Sequence, residues 1–444
     1  MKASKYNFFS KNSNDELIAF NAISAALAKM DDDHYKEYKL IEEGNAHLSN
    51  LGEEKKKEIY KNLERGRFIY DEKLYNEDDV ISTGYDINRY YTNHLNLTIA
   101  PTMDCNFDCY YCYEKKSGIR KARMESETEK DIIKFVNKLL KNRSQLKVTW
   151  YGGEPLLEKE IIYRLSRQLL KLCREKKCYY NAAMVSNGFY LDRKVVDKLV
   201  KFRISEVQIT VDGLKEDHDS RRFDKKEGPS FDRIIENIKY AKDFMKIFVR
   251  VNIDRRNIDK VESFLNYLKE NISPGNITIY LGRVSECDFD MGPISNVLLS
   301  PKEYYEKEKE ILIKSTKGEN KILGFPYPNP SVLPCGAVNF NTFAIDPEGY
   351  VYKCWEVLGE KEEAVFHISQ PNLYSKKQLE WVNWNPRNIE ECRECKHLPL
   401  CSGGCVIKSM RGKKVCTYWK HHLDDMLEIL AYKYEKERKE VKNV

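Results

Sequence analysis

The sequence lacks the two features that would place the protein in a membrane or outside the cell. It has no apolar run of about eighteen residues, the length that crosses a bilayer as a helix. Its first residues, MKASKYNFFSKNSNDE, contain no apolar core of the kind found in secretory signal peptides. We therefore expect a cytoplasmic protein with no membrane partner.

A strong excess of charge of one sign is also missing. The 444 residues include 75 Lys and Arg against 69 Asp and Glu, which gives a net charge of +6 with both signs interspersed. So small an excess gives little support for an acidic partner. No nucleic-acid-binding motif accompanies it, so we expect no nucleic-acid partner. The length allows two or three domains, and an apolar content of 41% supports a sizeable core.

Cysteine, in contrast, is abundant, with 13 residues. An odd number of cysteines without an export signal indicates a reducing compartment and metal ligation rather than disulfides. Cys105, Cys109 and Cys112 follow an apolar β-type segment in the run LTIAPTMDCNFDCYYCYE. Three thiolates on one loop can hold three irons of a [4Fe–4S] cube and leave the fourth iron open. Zinc is the alternative, although zinc sites favour closed sets of four ligands.

This loop resembles the cluster loop of radical SAM enzymes, in which the open iron binds S-adenosylmethionine. The resemblance implies S-adenosylmethionine and one [4Fe–4S] cluster as cofactors, and it places Tyr111 against the adenine. It implies that the reduced cluster splits S-adenosylmethionine and that the 5′-deoxyadenosyl radical takes a hydrogen atom from an unactivated carbon. A flavodoxin- or ferredoxin-type protein would supply the electron.

Strand and helix patterns alternate between residues 93 and 285. This alternation predicts an α/β fold with a parallel sheet and helices outside it, and the family resemblance makes it a partial (β/α)6 barrel. Ligands of such sheets bind at the carboxyl ends of the strands, where the cysteine loop falls. The strand candidates are Leu95–Ala100, Leu146–Tyr151, Tyr180–Ser186, Glu206–Val211, Ile247–Asn252 and Ile277–Leu281.

Short motifs after the second and third strands supply part of the candidate S-adenosylmethionine site. Gly152, Gly153 and Glu154, in YGGEP, resemble the family's GGEP motif, which contacts the methionyl amino group. Glycines there let a backbone approach a ligand closely. Ser186 and Asn187, in SNG, offer a hydroxyl and an amide suited to the ribose or carboxylate. A plain turn is the alternative for SNG.

The fourth and fifth strands supply the remaining candidates. Asp212, in QITVDG, resembles the family's Asp-Gly run and is our candidate catalytic residue, with a simple turn as an equal alternative. Arg250 and Asn252, in FVRVNID, share one face of a strand because side chains alternate with a period of two. We assign both to the S-adenosylmethionine carboxylate or ribose.

A second array of cysteines lies near the C-terminus. Its pattern is C-x13-G-x4-C, then C-x2-C-x5-C-x3-C, then a final cysteine. This order resembles the SPASM domain of radical SAM enzymes, which holds two auxiliary iron–sulfur clusters; a zinc ribbon is the alternative. The array comprises Cys335, Cys354, Cys392, Cys395, Cys401, Cys405 and Cys416.

The SPASM resemblance divides these cysteines between two clusters. The distal cluster would take Cys392, Cys395, Cys401 and Cys416, and the inner cluster Cys335, Cys354 and Cys405. Fully ligated members have one more cysteine shortly before the first, but the stretch FPYPNPSVLP before Cys335 has none. The inner cluster therefore has an open iron, takes Cys287, or uses another ligand. An open iron could hold a substrate thiolate.

We expect three domains: residues 1–92, a radical SAM partial barrel at 93–285, and a SPASM domain at 286–444, a region poor in regular pattern. In the first region, YNFF and ELIAF predict paired strands and NAISAALAKM a short helix. This mixture is typical of an α+β, winged-helix-like domain. In peptide-modifying relatives such a domain grips the leader of a precursor peptide, often as an added strand; a domain that only packs on the barrel is the alternative.

The arrangement resembles maturases of ribosomally synthesised peptides. With an open inner cluster, it predicts a thioether link from a cysteine sulfur to a carbon in a cysteine-containing precursor peptide. Formylglycine formation by a sulfatase-maturing enzyme and carbon–carbon crosslinking are alternatives within the superfamily. A non-catalytic iron–sulfur or zinc module is the alternative outside it.

Overall fold

The computed structural model describes residues 1–12, 14–116, 121–272, 275–284, 292–317, 323–324 and 326–442. Its strands are β1 (Lys2–Ala3), β2 (Asn7–Lys11), β3 (Leu17–Asn21), β4 (Leu27–Met30), β5 (Ile69–Tyr70), β6 (His94–Ile99), β7 (Gln145–Trp150), β8 (Tyr179–Ser186), β9 (Ile204–Thr210), β10 (Phe223–Asp224), β11 (Gly228–Pro229), β12 (Lys246–Ile253), β13 (Ile277–Arg283), β14 (Thr342–Ile345), β15 (Tyr350–Tyr352) and β16 (Phe366–His367). Its helices are α1 (Asp32–Glu42), α2 (Glu53–Arg65), α3 (Glu77–Tyr90), α4 (Ser126–Leu139), α5 (Lys159–Glu175), α6 (Arg193–Lys201), α7 (Lys215–Arg221), α8 (Phe231–Ala241), α9 (Val261–Asn271), α10 (Pro301–Lys317), α11 (Lys376–Asn383), α12 (Glu390–Arg393), α13 (Leu398–Cys401), α14 (Val406–Met410) and α15 (Trp419–Lys442).

The chain forms two compact units. The first comprises Met1–Tyr90, Phe325–Asn339 and Asn383–Val444, and the second comprises Tyr91–Gly324 and Phe340–Val382. Each unit has a sheet and helices packed against it. The division into domains at 1–92, 93–285 and 286–444 stays a prediction.

The second unit is built on one large sheet. Among the described residues its strand order is β13-β12-β9-β8-β7-β6-β14-β15-β16. The pairs from β13 through β14 are parallel, and β15 and β16 add antiparallel strands at one edge. The helices α4, α5, α6 and α8 carry buried apolar faces, for example Ile132, Phe135 and Val136 on α4. The expected α/β fold with a partial barrel is therefore confirmed.

Each of the six predicted barrel strands forms, and its ends lie within two residues of the predicted ends. The region after residue 286 is more regular than expected. The helix α10 was missed because charged residues dominate its sequence, PKEYYEKEKEILIKSTK. The strand β14 was missed because it has only four residues and is stabilised by its parallel pairing with β6.

The first unit contains a three-stranded antiparallel sheet in the order β2-β3-β4. One face packs on α1 and α2, with buried residues such as Tyr38 and Leu63. The other face packs on α15, with Phe20 and Leu427 fully buried in one cluster. The predicted pairing of YNFF with ELIAF is thus confirmed as β2 with β3.

The short helix predicted for NAISAALAKM is wrong. The side-chain oxygen of Asn21 accepts hydrogen bonds from the backbone N–H groups of Ile23 and Ser24, each at 3.0 Å. Ala25 has a φ of +57°, a left-handed value that is incompatible with a right-handed α-helix. These residues therefore form a turn, and the apolar residues after it form β4, paired with β3.

In the described part of the chain, no helix combines the length and apolar character needed to cross a bilayer.

Replacing Leu427 tests the packing of α15 on the sheet of the first unit. Leu427 is 0% exposed, so Leu427→Ala should lower the free energy of unfolding by about 2–5 kcal/mol. Denaturant unfolding of the full chain measures this change. Leu74 is 79% exposed, so Leu74→Ala is the matched control and should change stability by no more than about 0.5 kcal/mol. Equal effects of the two substitutions would contradict the packing.

Candidate active site

The cysteine loop begins where β6 ends, at the carboxyl edge of the parallel sheet. The backbone N–H of Phe107 lies 3.4 Å from the Sγ of Cys105, and the N–H of Cys112 donates to the carbonyl of Cys109 at 3.2 Å. The β10–β11 hairpin anchors the loop, because Asn106 donates to Asp224 at 2.7 Å. The loop is thus held from one side by a hairpin that belongs to a later part of the barrel.

The thiols of this loop suit a cationic iron–sulfur group. Burial raises the pKa of Cys112 to about 12 and that of Cys105 well above its usual value. Neither group would be a thiolate at neutral pH without a cation, and cluster irons supply one. Among the described residues, no three His, Cys, Asp or Glu side chains converge on a single metal ion. A [4Fe–4S] cube binds each cysteine at a different iron, so its ligands need not converge.

Gly152 and Gly153 bring the YGGEP turn into contact with the backbone of the cysteine loop. A Cβ on Gly152 would lie 2.2 Å from the carbonyl oxygen of Thr102, and one on Gly153 would lie 2.2 Å from that of Asp104. Gly152 also has a φ of +111°, which favours glycine. The backbone N–H of Glu154 donates to Asp104 at 2.8 Å. The glycines therefore fix the position of the cysteine loop.

The carboxylate of Glu154 links the ends of β7 and β8, the second and third strands of the barrel. Its fully buried carboxylate accepts hydrogen bonds from the hydroxyl of Ser186 at 2.9 Å and the backbone N–H of Asn187 at 2.7 Å. It also accepts from the N–H of Leu156 at 3.0 Å. Burial raises the pKa of Glu154 to about 6, although these hydrogen bonds oppose the rise. The predicted YGGEP and SNG motifs therefore form one polar cluster.

Tyr111 lies at the centre of a second polar cluster. Its hydroxyl donates to Asp212 and accepts from Arg222 at 2.7 Å and from Asn252 at 3.1 Å. The other oxygen of Asp212 accepts from the backbone N–H of Asn252 at 2.9 Å. Both oxygens of Asp212 are thus engaged, and this buried carboxylate orients its neighbours. Its role as a catalytic residue stays a prediction.

Arg250 contacts the same cluster from β12. Its Nε donates to the side-chain oxygen of Asn252 at 2.8 Å, as the shared strand face predicted. The structure therefore brings Tyr111, Asp212, Arg250 and Asn252 together. Their binding of S-adenosylmethionine stays a prediction.

Sequence reasoning missed two buried arginines and an aspartate. Arg221 is 3% exposed; its Nε lies 3.5 Å from Asp212, and its Nη1 donates to Asp254 at 3.2 Å. Arg222 is also buried, and its Nε has no hydrogen-bond partner among the described residues. Such an N–H suits an anionic group, for example a ligand carboxylate. The feature of the sequence that could have pointed to these two residues is the pair of adjacent arginines in HDSRRF, shortly after the end of β9.

The first unit holds a separate cysteine cavity. Its lining includes the four cysteines predicted for the distal cluster: Cys392, Cys395, Cys401 and Cys416. Burial raises the pKa of Cys401 to about 11, so a cation is again needed to hold a thiolate. The four residues span 25 positions of sequence, yet the fold brings them to one place. This arrangement fits an iron–sulfur group with four cysteine ligands.

Polar groups surround this cavity. The Nζ of Lys420 donates to the Sγ of Cys395 at 3.5 Å, and the backbone N–H of Gly403 lies 3.4 Å from the Sγ of Cys401. Lys414 also lines the cavity and pairs with Glu391. Burial lowers the pKa of His397 to about 4, so this residue is neutral at pH 7.

The three cysteines predicted for the inner cluster fall in different units. Cys335 and Cys405 belong to the first unit and Cys354 to the second. Cys287, the alternative fourth ligand, lies outside the described residues. The inner cluster therefore stays a prediction.

Comparison with known proteins agrees with this geometry. Residues 99–289 match the model of the radical SAM superfamily. The chain therefore contains a radical SAM domain and is an enzyme. The match covers the β6 strand end, the cysteine loop and the strand ends that carry the two polar clusters. S-Adenosylmethionine and a [4Fe–4S] cluster are accordingly its cofactors.

The similarity to known proteins extends beyond residues 99–289. An uncharacterized protein of Archaeoglobus fulgidus is 23% identical over 374 residues, which is 78% of this chain and 82% of that protein. The structure of anSMEcpe with bound AdoMet and Cp18Cys peptide has a TM-score of 0.57 at 18% identity, over 79% of this chain and 99% of the other. Streptococcus suis SuiB bound to S-adenosylmethionine has a TM-score of 0.53 at 15% identity, over 93% and 97% of the two chains. These two structures share the fold.

A methyl group on Gly153 tests the contact between the YGGEP turn and the cysteine loop. Gly153→Ala should displace the loop and lower 5′-deoxyadenosine formation by about 100-fold, because catalysis is that sensitive to shifts of about 1 Å. Chromatography of the reaction mixture measures the rate. Gly52→Ala is the control, since a Cβ there meets nothing within 4 Å. Full activity of Gly153→Ala would contradict the proposed contact.

Iron analysis tests the four-cysteine cavity. Cys401→Ala and Cys416→Ala should each lower the iron content of anaerobically reconstituted protein by about four atoms per chain, the content of one cube. Cys178→Ala is the control, because its sulfur donates to the carbonyl of Lys141 at 3.1 Å and is not part of either array. Unchanged iron, or zinc in place of iron, would show that the cavity does not hold such a cluster.

Proposed function

We propose that the protein is a maturase of ribosomally synthesised peptides that joins a cysteine sulfur to a carbon of another residue in its precursor peptide. The observation that carries the proposal is the missing cysteine before Cys335, since FPYPNPSVLP supplies no sulfur ligand. An inner auxiliary cluster that is one cysteine short can accept the thiolate of a substrate cysteine.

The fold similarities support a peptide substrate. The structure of SuiB bound to its precursor peptide SuiA has a TM-score of 0.53 and covers 92% of this chain. The structure of anSMEcpe with Cp18Cys peptide covers 79%. The wider coverage by SuiB favours a peptide maturase with an N-terminal recognition domain.

The first unit offers a surface for the leader of such a peptide. In the described part of the chain, β2 and β4 are the outer strands of their sheet, and each pairs on one side only, with β3. An extended peptide can add to an edge of this kind, with the main chain giving affinity and alternate side chains giving specificity. We assign leader binding to this sheet.

The residues of the barrel have two tasks in this reaction. Cys105, Cys109 and Cys112 would hold the [4Fe–4S] cluster, and the polar clusters around Glu154 and Tyr111 would bind and orient S-adenosylmethionine. When bound, these cofactors would supply a 5′-deoxyadenosyl radical for hydrogen-atom abstraction from carbon. Glu154, Asp212 and Asn252 are buried, so they would hold S-adenosylmethionine with little competition from solvent.

The formation of each thioether link must balance in atoms and electrons. The peptide loses one hydrogen atom from carbon and one proton from the thiol, and it gives up one electron. The auxiliary clusters of the SPASM region would accept that electron, and a flavodoxin- or ferredoxin-type protein would supply the reducing electron at the barrel.

Mass spectrometry of the peptide product tests the proposal. The reaction contains reconstituted protein, S-adenosylmethionine, dithionite and synthetic cysteine-containing peptides with the sequences of short open reading frames near the gene. The expected product is lighter by two hydrogens for each link, and one thiol for each link no longer reacts with iodoacetamide. The triple variant Cys105→Ala, Cys109→Ala, Cys112→Ala is the control and should leave the peptide unchanged.

The same measurement separates the alternatives. Formylglycine formation removes the cysteine sulfur, as a sulfatase-maturing enzyme would. Carbon–carbon crosslinking also removes two hydrogens but leaves every thiol open to alkylation. Either outcome would replace the thioether proposal, and unchanged peptide mass during S-adenosylmethionine turnover would contradict a crosslinking function.

A further inference from the structure

One cation is directed at a sulfur of the four-cysteine cavity. Lys420, in the first turn of α15, places its Nζ 3.5 Å from the Sγ of Cys395. Lys414 lines the same cavity, but its ammonium group pairs with the carboxylate of Glu391, which cancels much of its charge. Of these two lysines, Lys420 is the one whose ammonium group donates directly to a sulfur of the cavity.

A hydrogen bond to a ligand sulfur changes the reduction potential of an iron–sulfur cluster. Reduction adds one negative charge, which spreads over the cluster irons and their sulfur ligands. An ammonium group beside one of those sulfurs interacts more favourably with the reduced state than with the oxidised state. The reduction potential consequently rises. The neutral backbone N–H of Gly403, 3.4 Å from the Sγ of Cys401, acts in the same direction but without a net charge.

We propose that Lys420 is a positioning residue that raises the reduction potential of the distal auxiliary cluster through its hydrogen bond to Cys395. The cluster in its oxidised form takes up one electron, and no bond forms or breaks in this step. With a raised potential, the distal cluster is the favoured resting place for an electron released by the substrate. This inference rests on the proposed function of the SPASM region, since it needs a cluster in the cavity.

A redox titration followed by EPR spectroscopy tests the role of Lys420. The full chain carries Cys105→Ala, Cys109→Ala and Cys112→Ala, which removes the signal of the radical SAM cluster, and also Cys335→Ala and Cys354→Ala, which removes that of the predicted inner cluster. At the potential where half of the distal cluster is reduced, adding Lys420→Met should lower the ratio of reduced to oxidised cluster by about tenfold. For one electron this corresponds to a shift of about 59 mV to lower potential.

Two further variants separate charge from structure. Lys420→Arg keeps the positive charge and the donor groups, so it should restore most of the potential. Lys36→Met removes an exposed lysine from α1, which packs on the opposite face of the sheet from α15, and it should leave the potential unchanged. Iron content must be equal in all variants, so that a shift reflects the cluster and not its loss.

The possible outcomes decide the proposal. A change of less than about twofold in Lys420→Met at equal iron content would overturn it, as would an equal shift in Lys36→Met. Protein without a cluster in the cavity would overturn it as well. Formation of 5′-deoxyadenosine by the chain with an intact radical SAM loop is measured separately, so failure of the proposed function can be distinguished from failure of the Lys420 assignment.

Discussion

The close backbone contact between the YGGEP turn and the cysteine loop is the constraint on which the barrel site depends. Two glycines lie directly against the carbonyl oxygens of Thr102 and Asp104, where any Cβ would collide. The N–H groups of Gly153 and Glu154 donate to the same two carbonyls at 3.2 and 2.8 Å. Because this contact involves no side-chain rotamers, it fixes the cysteine loop relative to the sheet. The thiols of the cysteine loop and the polar groups at the strand ends therefore keep fixed positions relative to one another.

Buried ion pairs also fix the positions of side chains in the barrel site. Arg221 contacts two aspartates that are themselves fully buried, Asp212 and Asp254. Removing one member of such a set leaves an uncompensated charge and costs about 3–5 kcal/mol. The same charges orient Tyr111 and Asn252 before any ligand binds. Preorganised dipoles of this kind do not have to rearrange during a reaction, which favours catalysis.

Much of the fold could be predicted from the sequence because the barrel strands are apolar runs bounded by turn residues. The grouping of the four cavity cysteines was predicted from the resemblance to the SPASM pattern, which assigns these positions to one cluster. The turn at Asn21 was missed because its cause is a local side-chain hydrogen bond. Arg221 and Arg222 were missed because adjacent arginines usually lie in solvent. Their buried partners come from distant parts of the sequence: Asp212 and Asp254 for Arg221, and Tyr111 for Arg222. Such long-range pairing is not visible in a single sequence.

The most direct test of the account is cleavage of S-adenosylmethionine by the reconstituted, reduced protein. The three thiolates of the cysteine loop are expected to hold a [4Fe–4S] cluster whose EPR signal changes when S-adenosylmethionine is added. Incubation with dithionite should then release methionine and 5′-deoxyadenosine in equal amounts. A protein that binds iron but gives no spectral change and leaves S-adenosylmethionine intact, even with its peptide present, would contradict the account.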